Sequence, residues 1–169
     1  RRVGFFPGST IGNFGHNRAR QFLSRIAEHV GPGGGLIIGV DLKKDEATLR
    51  AAYNDESGIT AQFNLNLLSR INREFGGDIN IHQFKHEAVY NSEKGRIEMY
   101  LISCQAQTIR IGNSPFSFSE NEKIHTENSQ KYDITEFQEL ASDAGFVAIQ
   151  VWSDSEGLYS IHYFERPSF

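Results

Sequence analysis

Phe5-Phe6-Pro7-Gly8-Ser9-Thr10-Ile11-Gly12-Asn13-Phe14 continues an apolar run that starts at Val3, breaks into glycines and hydroxyls, and then reaches an asparagine. Val3 to Phe6 reads as a strand. Gly8 and Gly12 let the backbone approach a ligand closely. Ser9, Thr10 and Asn13 supply polar groups at the strand's carboxyl end, where open α/β sheets bind their ligands. A plain strand-to-helix turn with Asn13 as the helix cap accounts for the same residues, so this stretch alone leaves both readings open. The next thirty residues decide the fold. Asn17 to Val30 carries Phe22, Leu23, Ile26 and Val30 at helical spacing, with charges on the opposite face. Leu36-Ile37-Ile38-Gly39-Val40-Asp41 is a continuous apolar run of strand length, the pattern of a strand covered on both faces. Strand, helix, strand is a βαβ unit, and the fold class is α/β. The intervening Gly31-Pro32-Gly33-Gly34-Gly35 follows a helix and precedes a strand. A phosphate loop has the reverse order, so this run reads as a helix terminator.

At 169 residues, 38% hydrophobic and 22% charged, the chain has the length and make-up of one globular domain with a real core. The net charge of −4 and the lack of a long basic cluster argue against a nucleic-acid partner; Arg1, Arg2, Arg18, Arg20 and Arg25 read as a solvated face. No run approaches the ~20 apolar residues of a membrane span, so a membrane partner is not expected. Cys104 is the single cysteine, which excludes an intramolecular disulfide and a cysteine-cluster metal site. Lying in an apolar run, it reads as a small core residue, and the sparse cysteine fits a reducing cytoplasm, the expected location. The only methionine is Met99 and no signal-peptide pattern is present. The expectation is a piece of a longer protein that starts just before a strand belonging inside a sheet.

Asp45 to Ala52 continues as a helix, interrupted at Tyr53-Asn54-Asp55-Glu56-Ser57-Gly58; Phe63, Leu67 and Ile71 then mark a helix from Ile59 to Phe75, stopped by Gly76-Gly77. Tyr53 at the break is accounted for by simple packing with its hydroxyl in water. His82 to Tyr90 and Arg96 to Ser103 predict an antiparallel hairpin turning at 91–95. His82 and His86, four apart, would share a face even in a strand, but no third ligand is evident and no metal is expected. Thr108 to Ile111 reads as a short strand and Asn113 to Phe118 as a loop. The polar stretch Glu122 to Tyr132 leads to Asp133, a cap for a helix from Ile134 to Ala144 that Gly145 stops. Phe146 to Trp152 and Leu158 to Phe164 form a closing hairpin.

This order resembles the C-terminal half of a class I, Rossmann-like S-adenosylmethionine-dependent methyltransferase, whose sheet runs 3-2-1-4-5-7-6 with strand seven antiparallel. The chain would supply strands four to seven, with strands one to three absent. Four motifs make the resemblance specific: Phe6-Pro7-Gly8-Ser9-Thr10-Ile11-Gly12-Asn13; Ala52-Tyr53-Asn54-Asp55 with 58–64; Arg96-Ile97-Glu98-Met99; and Thr126-Glu127-Asn128-Ser129. In order and spacing they resemble the histidine-specific methyltransferases, the family of the L-histidine Nα-methyltransferase of ergothioneine biosynthesis. The resemblance covers nearly the whole chain.

The resemblance implies an α+β substrate-binding subdomain at 53–125, inserted between two parts of a methyltransferase core at 1–52 and 126–169. It implies that Asn13 holds the α-amino group of L-histidine with Gly8 lining the same pocket, that Tyr53 bonds the carboxylate, and that Glu127 and Ser129 recognise the imidazole. Thr60 and Met99 match pocket-lining positions. The donor would be S-adenosylmethionine, held mostly by a part upstream of Arg1, so that these residues alone would be inactive and would carry no cofactor-binding residue of their own. An uncovered strand-four edge would favour self-association. The chemistry agrees with these roles. Methyl transfer to nitrogen needs a neutral, well-oriented amine, and a carboxamide oxygen accepts from it without adding charge. Glu127 and Ser129 lie on one face if their segment is extended, and two hydrogen-bonding groups there would reject rings lacking their partners.

Overall fold

The computed structural model describes residues 1–168. They form two compact units, one of residues 1–45, 92–96 and 128–168, the other of residues 46–91 and 97–127.

In the first unit, β1 (Val3–Phe6), α1 (His16–Val30) and β2 (Gly35–Asp41) follow in the expected order. α1 buries Ala19, Leu23 and Ala27, with Phe22, Ile26 and Val30 packed beside them: a single apolar stripe facing the sheet. Gly31 ends this helix at φ 73, a conformation that glycine adopts without the steric cost of a Cβ. β2 buries Leu36, Ile38 and Val40 on one face and Gly35 and Gly39 on the other, which is why its sequence is apolar throughout. With β8 (Val147–Ser153) and β9 (Tyr159–Glu165), the four strands form one sheet in the order β1-β2-β9-β8. β1 runs parallel to β2, with Phe6 opposite Ile38. β9 runs antiparallel to β2, with Leu36 opposite Phe164. This is the 4-5-7-6 portion of the class I order, the antiparallel strand lying between strands five and six. α4 (Ile134–Asp143) precedes β8 and opens on a capping box in which the Asp133 and Glu136 side chains satisfy each other's backbone N–H groups. The core gathers Ile11, Leu23, Ile38, Tyr132, Phe137, Phe146 and Phe164. His162 of β9 is buried within it, stacked on Phe164 at 5.4 Å between ring centroids.

The second unit contains α2 (Glu46–Tyr53), α3 (Ile59–Phe75), β3 (Phe84–Asn91), β4 (Arg96–Ser103), β5 (Gln107–Ile111), β6 (Ser114–Phe118) and β7 (Lys123–Gln130); the first residue of β4 and the last three of β7 group with the first unit. β3-β4-β7 make one sheet and β5-β6 a separate ribbon. Leu68, Ile79, Phe84, Leu101 and Ile109 form one cluster, and Leu49, Ala88, Ile97 and Met99 another.

Several expectations need correcting. Residues 114–118 are a strand rather than a loop, with Ile109 opposite Phe116 and Arg110 opposite Pro115; a proline is tolerated because a two-stranded ribbon has only edges. His82 belongs to a short 3-10 turn, Ile81–Gln83, whose start is capped by Asn80, and the strand starts at Phe84. Cys104 is exposed, because β4 ends at Ser103 and the chain turns outward there. Asn13 does not cap α1: it closes a 3-10 turn over Thr10–Asn13, and Gly15 takes the cap position. α2 packs on β3 through Leu49 and Ala88 and so groups with the second unit.

Burial pushes the His162 pKa down from 6.5 to about 4. Nε2 lies 2.9 Å from the Ser160 hydroxyl, but Nδ1 meets no partner among the described residues, so protonation would bury an unsatisfied N–H. The unfolded chain therefore takes up this proton before the folded one does. Stability is full above about pH 6.5 and falls as the pH drops from 6.5 towards about 4, by on the order of 3 kcal/mol over that range. Chemical denaturation at a series of pH values should show this slope in the wild type and a flatter one in His162→Gln; equal slopes would remove His162 as its source.

Candidate functional site

The loop after β1 is tied to the end of β2. The Asp41 N–H donates to Ser9 Oγ at 2.9 Å, and the Tyr159 hydroxyl donates to the Pro7 carbonyl. Gly39 makes this approach possible: a Cβ there would lie 2.1 Å from Pro7 O and 2.2 Å from the Tyr159 hydroxyl. Ser9 takes a left-handed conformation, φ 53, unusual for a residue other than glycine and a frequent mark of functional loops. Gly8 is exposed, and a Cβ on it would meet only Thr10 Oγ1, at 3.6 Å, so the outer side of the loop is open to a ligand. Gly12 is pressed against the end of β7, where a Cβ would come within 2.9 Å of Gln130 O. Asn13 follows it, exposed, and shares with Gly15, His16, Asn17, Arg18 and Asn128 the lining of a cavity of about 420 Å³.

Behind this loop lies a charged network that sequence reasoning missed. Lys131 is fully buried, with Nζ 2.5 Å from Asp41 Oδ2 and 2.8 Å from Ser129 Oγ. Lys44 Nζ takes the other Asp41 oxygen at 2.6 Å. Asp41 entered the sequence reading only as the last residue of the run that forms β2. No pattern announces a buried lysine in the polar stretch 122–132.

The remaining expected residues lie in the second unit. Tyr53 ends α2 and packs on the Leu49, Ala88, Ile97 and Met99 cluster. Its carbonyl accepts from His86 Nε2 at 2.8 Å, so His86 Nδ1 is left to accept from the Asn64 amide at 3.0 Å. Both ring nitrogens of His86 are thereby used, and among the described residues no three histidine, cysteine or acidic side chains group as a metal would require. The next residue, Asn54, acts as a strand substitute on the edge of β3: it accepts from the Ala88 N–H and donates to the Ala88 carbonyl, each at 2.9 Å. Asp55 caps α3, accepting from the N–H groups of Ile59 and Thr60 and from the Ser57 hydroxyl, and these bonds hold its carboxyl well below the usual range. Thr60 is thus fixed in the first turn of α3. Met99 is buried in its cluster, and its carbonyl accepts from Thr126 Oγ1 at 3.0 Å. Glu127 is half-buried in β7 and Ser129 is buried. β7 is extended through both, so the two side chains leave the strand on the same side.

The structure thus gathers Gly8, Asn13 and Ser129 within the first unit, and Tyr53, Thr60, Met99 and Glu127 within the second.

The sequence model of a family described as histidine-specific, SAM-dependent methyltransferase matches residues 1–166. The chain is 39% identical over 163 residues to the histidine N-alpha-methyltransferase of Mycobacterium tuberculosis, covering 95% of this chain and 51% of that protein. It is 34% identical over 149 residues to ergothioneine biosynthesis protein 1 of Neurospora crassa, covering 86% of this chain and 17% of that one. It spans about half the length of the mycobacterial relative. An S-adenosylmethionine-dependent methyltransferase of Clostridium acetobutylicum shares the fold at a TM-score of 0.51 and 7% identity, over 99% of this chain and 59% of that one.

Three substitutions probe the scaffold. Gly39→Ala should cost about 1–3 kcal/mol by overpacking, while Gly8→Ala should leave the denaturation midpoint unchanged; equal effects would contradict the close approach at Gly39. Asn54→Ala leaves the Ala88 N–H and carbonyl unpaired on a strand edge, at a cost of at least about 2 kcal/mol. Faster hydrogen exchange at Ala88 is the local signature to look for.

Proposed function

The chain belongs to the histidine-specific, SAM-dependent methyltransferases, and on that premise we propose that the protein methylates the α-amino nitrogen of L-histidine. In the fullest form it adds three methyl groups to give Nα,Nα,Nα-trimethylhistidine, hercynine, as ergothioneine biosynthesis requires. The observation that carries the substrate assignment is the pair on β7: a carboxylate, Glu127, and a hydroxyl, Ser129, two residues apart on an extended strand. Such a pair is suited to the two nitrogens of an imidazole ring.

In this reading the first unit is methyltransferase core, and the second, inserted into it, is the substrate-binding subdomain. Asn13 accepts from the α-amino group through its carboxamide oxygen, which orients the nitrogen without giving it charge. The open outer side of Gly8 leaves room beside it. Tyr53 takes the substrate carboxylate. Its backbone is held for this by the His86 bond to its own carbonyl and by the neighbouring Asn54. Thr60 and Met99 shape the pocket, one fixed by the Asp55 cap and the other by its buried cluster.

S-adenosylmethionine, when bound, supplies an electrophilic methyl group on a sulfonium. Asp41, the acidic side chain at the end of β2, is already committed to Lys44 and Lys131. We therefore assign neither Asp41 nor any other residue named here to the donor. What these residues contribute is position, the largest single requirement of an in-line transfer.

The intact protein, incubated with S-adenosylmethionine and an equimolar mixture of amino acids, should yield histidine carrying one to three added methyl groups by mass spectrometry. Methylation of another amino acid or amine would keep the family and overturn the substrate. Histidine binding without any methylation would favour a non-catalytic binding module. Glu127→Ala should lower kcat/KM for histidine about 10- to 100-fold, the effect of losing a hydrogen bond to a charged group.

A further inference from the structure

α3 buries Asn64 and, one turn on, Leu68, while Phe63 and Leu67 beside them stay exposed. Asn64 is only 3% exposed. A buried carboxamide costs free energy unless it is hydrogen-bonded, and a leucine in its place would carry no such cost. What the amide does is read from its two contacts. Asn64 Nδ2 lies 3.1 Å from the Tyr100 carbonyl oxygen and 3.0 Å from His86 Nδ1. A backbone carbonyl only accepts, so the Tyr100 contact fixes which end of the amide faces it. Both hydrogens of the amide nitrogen are then placed, one on Tyr100 O and one on His86 Nδ1.

The consequence passes through the imidazole. With Nδ1 accepting, the ring hydrogen sits on Nε2, and that N–H donates to the Tyr53 carbonyl at 2.8 Å. A relay that starts on β4 and crosses α3 and β3 thus ends on the last residue of α2. There it meets a residue whose side chain packs on Leu49, Ala88, Ile97 and Met99. Asn64 also stands one turn after Thr60 on α3, and Tyr100 follows Met99 on β4. One amide nitrogen therefore ties together the segments that carry Tyr53, Thr60 and Met99.

We infer that Asn64 and His86 are positioning residues for substrate binding: Asn64 fixes the His86 tautomer, and His86 holds Tyr53 where its hydroxyl meets the substrate carboxylate. The inference rests on the proposed contact of Tyr53 with that carboxylate and names what sets it in place. Both residues act through Tyr53, so their removal is felt by ligands that carry a carboxylate and not by those that lack one.

The test compares the Kd of L-histidine with that of histamine, the same molecule without its carboxylate, by calorimetry on the intact protein. Glutamine carries its amide nitrogen at about the reach of Nε2, and asparagine carries its amide oxygen at about the reach of Nδ1. His86→Gln therefore keeps the donor to Tyr53, whereas His86→Asn keeps only the acceptor for Asn64. His86→Asn and Asn64→Leu should each weaken L-histidine about tenfold, the effect of misplacing one hydrogen bond to a charged group, and leave histamine unchanged. His86→Gln should bind L-histidine as the wild type does. A merely structural role predicts equal losses in His86→Gln and His86→Asn and equal losses for the two ligands, and either result would overturn the inference while leaving the Tyr53 contact standing. An unchanged Kd for L-histidine in Tyr53→Phe would overturn that contact itself. Should His86→Asn and Asn64→Leu fail to fold, the wild type decides: in the 15N spectrum of the ring-labelled protein, His86, assigned by its absence from His86→Gln, should carry its hydrogen on Nε2 with Nδ1 bare. A hydrogen on Nδ1 would overturn the inference.

Discussion

Asp41 is the group on which the first unit's working end depends. It stands at the carboxyl end of β2 and joins two segments distant in sequence, the Pro7–Thr10 loop through its N–H and the end of β7 through one carboxylate oxygen by way of Lys131 and Ser129, while its other oxygen holds the nearby Lys44. A carboxylate with two ammonium partners is a strong node only when each bond is well aligned, and both ion pairs here are short. The backbone makes a parallel demand. β2 must come near enough for Pro7 to lie against it, and only a glycine at position 39 allows that approach. One strand therefore does two things: it buries both faces in the core, and its end fixes the loop that carries Gly8 and Asn13.

The second unit solves a related problem with neutral groups. Asn54, Asn64 and His86 link the end of α2, the middle of α3 and β3 through hydrogen bonds whose donors and acceptors are matched. Their polarity follows from one fact, that a backbone carbonyl only accepts. The Tyr53 carbonyl fixes the proton on His86 Nε2, which makes Nδ1 the acceptor for Asn64. Such a chain fixes geometry without charge, which suits a region that buries Met99 and Ala88 nearby.

How much of this was legible in the sequence follows from how local each signal is. α3 was readable to its ends because apolar spacing and flanking glycines are properties of neighbouring residues. β2 was readable because burial on both faces leaves no polar position to confuse the pattern. β6 was not: Ser114-Pro115-Phe116 has turn composition, and only its partner strand makes it a strand. Cys104 looked like core because it adjoins an apolar strand, but its exposure depends on where that strand stops. Gly8, Asn13, Glu127 and Ser129 were given substrate roles only through a resemblance, since a polar residue carries no periodic signature. Lys131 was missed for a deeper reason. A buried lysine is intelligible only beside its partners, and Asp41 is ninety residues away.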